Sequence, residues 1–407
     1  MGQSTRWLQA SPSVKIAEDA PADFLKASEG RPARLYFRLA PDLYLGSRTT
    51  VPLHLLFKVS GLAKDAQAQM DIEVNGVSVP SREVQVKGSS DTQSQFFAIP
   101  TSLLYPSNTI TVNLAPLESP GLSSIGDSPV QLLLARTSEL DLRGASHYVR
   151  LPRMDLFASA GFPFTRFADL RQTALVMPDA PSKSQFALYL DSLGFLGAQT
   201  GYPALRFQVL EAAEASRTVD KDLLVLDTGN DQRLFSQWSS FMPVLPAGGR
   251  FLLKKSTDSK LEWLSRIPFV KNNDEGKLGD LLNEESYPTF ILEQFSLPFS
   301  SGLTAVVLAA SSRDDEQPVM AMLASASKEG RISGSVVVLN DRRFHSFRAG
   351  AAPYYAGEAS WQSAFEYWMG FHVWLIPILV VLGSFLIGRR WEAYLERQAV
   401  RRLEAGS

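Results

Sequence analysis

The sequence predicts a multi-domain chain: an all-β sandwich, then an α/β domain, then a single C-terminal transmembrane helix. Three observations predict it. From about 31 to 148, short apolar/polar alternations recur every dozen or so residues; beyond Gly161, strand-like runs alternate with helical ones; and residues 367–388 carry no formally charged side chain. A length of 407 residues suits two or three domains. Apolar residues make up 45% of the chain and charged residues 20%, globular values that exclude wholesale disorder. The near-balance of 40 basic and 42 acidic residues argues against a nucleic-acid binder, whose phosphate partners demand a basic excess. Cysteine is absent, which excludes disulfides, thiolate metal sites and a cysteine nucleophile. The four histidines are scattered, so no metal centre and no cofactor are expected.

Residues 1–30 are small and polar, with Pro12 and Pro21, and read as a linker or an incomplete edge. The sandwich is expected over 31–148. RLYFRLA sets Leu35, Phe37 and Leu39 against Tyr36 and Arg38; VPLHLLFKVS sets Val51, Leu53, Leu55, Phe57 and Val59 against His54 and Lys58. Asn75-Gly76 between alternating apolar residues signals a hairpin, because a type I′ turn needs positive φ twice. SQFFAIP, TITVNLA and PVQLLLA continue the strand pattern. Such sandwiches often bind carbohydrate, through aromatic faces that stack on sugar rings plus a few polar groups. Tyr36, Tyr44, His54 and Tyr105, on outward or loop positions, are the candidate contacts.

Over 149–350 the pattern predicts an α/β layer fold with a largely parallel, flavodoxin-like sheet. TALVMP, LRFQVL, DLLVLD and GRFLL read as strands. SQFALYLDSLGFLGAQTG reads as a helix capped by Gly201, and LEWLSRI (261–267) as another helix. ISGSVVVLN reads as the last strand. The chain has no GxGxxG, no GxxxxGK[ST] and no GxSxG, and the acidic run at 314–316 reads as a solvated turn. The fold is expected to be without catalytic chemistry.

Residues 351–367 are expected to form an amphipathic interface helix, with Trp361, Phe365 and Trp368 on one face. The expected span is 368–388, with Trp368 and Trp374 near its first end, Trp391 and Tyr394 near its second, Pro377 inside and Gly383-Ser384 as a close-packing point. Arg389 and Arg390 open a tail, 389–407, that also carries Arg397, Arg401 and Arg402. By the positive-inside rule this tail is cytoplasmic and residues 1–366 are external. The first residues contain no apolar export signal, so an upstream part carrying one is expected.

The strings GFPFTRFADL (161–170), QTALVMP (172–178) and QTGYPA (199–204), with segment 290–312, GSVVV (334–338) and the C-terminal helices, resemble the bacterial cellulose synthase regulatory subunit family. The resemblance is continuous from about Leu142 and looser before it. It implies that the sandwich is a carbohydrate-binding jelly roll and the α/β part a flavodoxin-like domain, the second of each kind in that family. It also implies a non-enzymatic periplasmic subunit, anchored in the bacterial inner membrane. That subunit would dock on the catalytic membrane subunit, contact the lipid bilayer and guide nascent β-1,4-glucan, with possible self-association through a missing N-terminal half. The family carries a cyclic di-GMP-binding label. The common cytoplasmic motif for that dinucleotide pairs R-x-x-x-R with D-x-S-x-x-G, and this pair is absent. The alternative is a membrane-anchored sensor or ligand-binding ectodomain with a cleft near Asp227 and Thr228.

Overall fold

The computed structural model describes residues 7–8, 13–18, 20–117, 129–178, 180–218, 220–227, 232–247, 250–254, 274–283, 289–298, 300, 302–310, 318–350 and 352–404. The chain divides into two compact units, Met1–Glu358 and Ala359–Ser407.

In the first unit, two sheets enclose one apolar core. One sheet has the order Trp7–Leu8, Ala33–Leu39, Ser107–Pro116, Gln67–Val74, Val77–Gln85. The other runs Val14–Lys15, Glu139–Leu140, Thr50–Ser60, Gln131–Leu134, Lys26–Ser28, with Gln93–Pro100 also paired to Thr50–Ser60. Strand alternation sorts the side chains: Leu35, Phe37, Leu53, Leu55 and Phe57 are buried, while Tyr36 and Lys58 face outward. Asn75 and Gly76 take positive φ (52° and 81°) and join Val74 to Val77 in the expected hairpin. Of the expected linker or incomplete edge over 1–30, the described residues include strands at the edges of the sandwich. Trp7–Leu8 pairs with Ala33–Leu39, and Lys26–Ser28 with Gln131–Leu134, so both covered strands lose an open edge. Ala17 and Leu25 enter the core.

The α/β domain is built on a seven-stranded sheet. Its order is Gln208–Leu210, Thr173–Val176, Asp222–Asp227, Thr304–Ala310, Phe290–Ser296, Val336–Asn340, Arg343–Phe347. It is mixed rather than largely parallel: the first four strands are parallel and the ladder from Thr304–Ala310 onward is antiparallel. Connection length is the cause, since the link between Ser296 and Thr304 is too short for a parallel crossover. Asp341 and Arg342, both at positive φ (46° and 61°), turn the chain into Arg343–Phe347, a strand beyond the expected last one. Helices Met154–Ala160, Lys183–Thr200 and Val319–Lys328 pack on one face; Gln232–Trp238 and Asp274–Leu282 cover the other. Strands buried on both faces read as unbroken apolar runs, as TAVVLAA does. Helix Lys183–Thr200 begins at a capping box of Ser182 and Gln185 and ends at Gly201, φ 69°. The expected helix at 261–267, the turn beyond Asp227 and the acidic run at 314–316 lie outside the described residues.

The expected interface helix over 351–367 starts later. Tyr354–Glu358 is a strand on Ser146–Leu151, and the helix runs Trp361–Gly370 behind a Ser360 N-cap. In the second unit this helix and Leu375–Glu404 meet at a bend of 110°. The expected continuous helix over 368–388 is therefore broken. Pro377 has no N–H for the carbonyl of residue 373, and its ring would clash there; it lies instead in the first turn of Leu375–Glu404, where neither penalty applies. Among the described residues no single helix is long and apolar enough to cross a membrane; the bent pair together has that length and composition.

Two buried carboxyls belong to strands of the α/β sheet, Asp222 and Glu293. Glu293 accepts the Val244 N–H at 3.0 Å, and burial pushes it up to about 8. Asp222 accepts the Thr304 N–H at 2.8 Å; burial pushes it up to about 6, against the pull of Arg166. Both hold their protons after the unfolded chain has released its own, at 3.8 for Asp and 4.5 for Glu. Stability therefore falls as pH rises from about 4 through about 8. In urea unfolding across that range, Glu293→Gln should flatten the decline and leave the variant more stable than the parent at the alkaline end. Parallel curves for the two proteins would contradict this assignment.

Candidate functional site

The motif residues gather at the joint between sandwich and α/β domain. Trp7, 4% exposed, donates its Nε1–H to the carbonyl of Thr165 at 3.2 Å. The Arg38 guanidinium lies 4.0 Å from the Trp7 ring and donates to the Gln199 carbonyl (2.7 Å) and to Gln199 Oε1 (2.6 Å). Thr165 belongs to GFPFTRFADL and Gln199 to QTGYPA, so both strings are placed against the sandwich. Gly161 takes φ 70° at the end of helix Met154–Ala160; a Cβ there would lie 2.7 Å from Thr165 Cγ2 and 2.8 Å from Leu196 Cδ2. Gly334 is tighter still, its Cβ position being 2.3 Å from the Phe347 carbonyl oxygen.

Strand Ser146–Leu151 completes the joint. It pairs with Leu43–Tyr44 on one side and with Tyr354–Glu358 on the other. His147 Nδ1 meets the buried Asp42 Oδ1 at 2.9 Å, and this hydrogen bond raises the His147 pKa against the lowering effect of burial.

The four candidate sugar contacts do not converge. Tyr36 points outward from one sheet, in edge contact with Phe24 at 5.5 Å. Tyr105 is exposed in the loop before Ser107–Pro116. Tyr44 is half-buried on the strand that joins Ser146–Leu151. His54 points outward from the opposite sheet, and there the structure brings in a ring that strand alternation had not singled out. Phe96 sits directly across from His54, 59% exposed, with ring centroids 4.2 Å apart and planes 5° from parallel. The signal is present in SQFFAIP: adjacent residues of a strand face opposite ways, so with Phe97 in the core Phe96 must face out.

On the other side of His54 the cross-strand neighbour is Glu139, which accepts a hydrogen bond from Ser13 Oγ. Asp141 accepts from Arg143 Nε at 2.9 Å, and that side-chain bond holds the Asp141 carboxyl below its usual range. These residues line a groove of about 530 Å³.

In the second unit Trp361 (77%), Phe365 and Trp368 are uncovered on one helix face, with Phe365 and Trp368 stacked at 6.2 Å. Trp374, Trp391 and the apolar side chains from Ile376 to Ile387 are exposed as well. No neighbour lies within 4 Å of where a Gly383 side chain would be, and Ser384 Oγ donates back to the Val380 carbonyl at 2.8 Å. Arg389 lies 6.0 Å from the Phe385 ring, and Arg390 is exposed beside it. The Asp227–Thr228 cleft is not described beyond the strand end at Asp227. Among the described residues no group of three or more His, Asp or Glu side chains could hold a metal ion.

Two family models match: "Cellulose synthase BcsB, second FD domain" over residues 147–308, and "Cellulose synthase BcsB, second CBM domain" over residues 24–119. A "Cyclic di-GMP-binding protein" of Pseudomonas fluorescens (strain SBW25) is 26% identical over 98% of this chain and 55% of its own length. A protein of the same name from Komagataeibacter xylinus is 24% identical over 94% of this chain and 50% of its own. "Cellulose synthase 2" of Novacetimonas hansenii is 25% identical over 91% of this chain and 24% of its own. The chain thus spans about half the length of the first two. A carbohydrate-binding module of the CBM36 type, solved with calcium and xylotriose, matches 32% of this chain and 87% of its own at 16% identity; its TM-score of 0.17 is too low to speak to the ligand.

Gly161→Ala tests the joint. Left-handed backbone and the two methyl overlaps should together lower stability by about 1–3 kcal/mol, read by chemical denaturation. An unchanged midpoint would contradict the close approach.

Proposed function

We propose, because the chain belongs to the cellulose synthase BcsB family, that it is a non-catalytic accessory subunit of a bacterial cellulose synthase. In this reading the sandwich and α/β domain are periplasmic and handle nascent β-1,4-glucan. The chain docks on the catalytic membrane subunit through its two C-terminal helices. What carries the reading, beside family membership, is the uncovered face of Trp361, Phe365 and Trp368 followed by a helix apolar on all sides up to Gly388. A helix apolar all round is stable only when buried in protein or lipid. The tryptophans suit the interface between headgroup and acyl chain. Arg389 and Arg390 suit the cytoplasmic side, with the helix pair serving together as a broken span. Gly383 leaves room for close approach by a helix of the catalytic subunit. Tyr36, Tyr44, His54 and Tyr105 are proposed as separate sugar contacts rather than one site, since they lie on different sheets and loops. The relatives' name extends to this chain the proposal that it serves a synthase controlled by cyclic di-GMP.

The experiment is reconstitution of the catalytic subunit with the full chain, measuring glucan made from UDP-glucose. Replacing Trp361, Phe365 and Trp368 together by alanine should reduce stimulation by about tenfold or more while leaving the melting of the first unit unchanged. Full stimulation by the triple variant would sink the docking reading.

A further inference from the structure

Asp42 reaches the joint by a local device. Strand Ala33–Leu39 ends, and Ala40-Pro41-Asp42-Leu43 turns the chain, with the Leu43 N–H donating to the Ala40 carbonyl at 3.0 Å. The fixed φ of proline suits the second position of such a turn. Strand Leu43–Tyr44 then pairs with Ser146–Leu151 through two residue pairs, Tyr44 with Ser146 and Leu43 with His147. The Tyr148 N–H adds a bond to the Asp42 carbonyl at 2.8 Å. Beside so short a ladder, a side-chain ion pair is a substantial addition.

The two partners of that pair differ in exposure. The Asp42 side chain is 4% exposed and that of His147 35%, so water reaches the imidazole but hardly the carboxylate. Asp42 Oδ1 meets His147 Nδ1 at 2.9 Å, while Oδ2 is buried with no hydrogen-bond partner among the described residues. A buried carboxylate with one oxygen unmatched depends on its remaining partner to compensate its charge. The other charged groups around His147 do not take that part. Arg166, on the α/β side, opposes the positive imidazole, and its own Nε and Nη2 are buried without partners. Glu358 is directly opposite His147 on Tyr354–Glu358 but is exposed. Arg150, three residues along the same strand as His147, is on its other face.

We infer that the Asp42–His147 pair is a proton-operated latch on the joint: a protonated His147 holds the 40–43 turn on strand Ser146–Leu151, and loss of that proton loosens the turn. Neutral imidazole can still donate from Nδ1, so the hydrogen bond outlasts the proton; the charge that compensates Asp42 does not. The hydrogen bond to Asp42 raises the His147 pKa above 6.5, against burial and the Arg166 charge. A basic group raised on folding gives its full stabilisation below 6.5 and loses it as pH rises through the raised value. The joint is therefore tightest in acid and looser at mildly alkaline pH. On the proposed periplasmic side the pair would meet the pH of the medium; the latch itself holds whichever side the unit faces.

The direct reporter is the Tyr148 amide, whose acceptor is the Asp42 carbonyl. Its hydrogen exchange is followed in the full chain in detergent from about pH 5 to about pH 9 and corrected for the intrinsic rate. Protection should fall by about twofold to fivefold, the scale of a partly exposed ion pair. The step should centre on the His147 titration, read by imidazole carbon shifts in the same chain and lying above 6.5. His147→Gln keeps a side-chain donor and should remove the step. Glu293→Gln should keep it, which separates the latch from the buried carboxyls of the α/β sheet. A step of the same size in His147→Gln, a step lost in Glu293→Gln, no step in the parent, or a parent His147 that titrates at or below 6.5 would each overturn the inference.

Discussion

Strand Ser146–Leu151 is the stretch of backbone on which the first unit depends. A strand can pair on two sides, and this one uses both: Leu43–Tyr44 of the sandwich on one, Tyr354–Glu358 on the other. The chain enters the α/β domain from its far end and, some two hundred residues later, comes back to its second edge. His147 is held against Asp42, and Arg38 can reach Gln199 while stacking on Trp7. Gly357 must be glycine, since a Cβ would lie 2.1 Å from the His147 carbonyl oxygen.

The same joint gives a physical reason for the distinctive family strings. Thr165, Gln199, Gly161 and Gly334 are held by contacts at which an added methyl or a lost amide would disturb two elements at once. Their constraint is geometric. A buried Asp222 and Glu293 nearby are perturbed by desolvation, not arranged around an open cleft, which separates them from the pattern expected of paired catalytic acids.

Much of the architecture was legible because period and register are local properties. Alternation in RLYFRLA and VPLHLLFKVS assigns each residue to core or solvent before any pairing is known, and Asn75-Gly76 announces its own turn. What was not legible depends on distant partners. Nothing in residues 1–30 says that Trp7 fills a joint beside Ala160, and nothing in TAVVLAA says which neighbours run parallel to it. The bend before Leu375 was readable only by treating Pro377 as a helix start rather than a kink. Of the sugar-contact candidates, His54 was legible as an outward residue; its stacked partner Phe96 and the Glu139 row came from strand order, which alternation alone does not contain.

In the proposed reading the chain would do two mechanically different things: grip a membrane partner firmly and touch a moving polymer weakly. The chain separates these. The exposed tryptophan face and apolar helix lie in the second unit, and the stacked His54–Phe96 pair lies on the sandwich of the first. The claim that the second unit grips the catalytic subunit is tested most directly by photo-crosslinking during synthesis. A photoreactive residue replaces Trp361 or Phe365 in the full chain, with Val77 on the sandwich as the comparison position. Crosslinks to the catalytic subunit are expected from 361 and 365 and none from 77; crosslinks confined to lipid, or equal yields from all three positions, would contradict the claim.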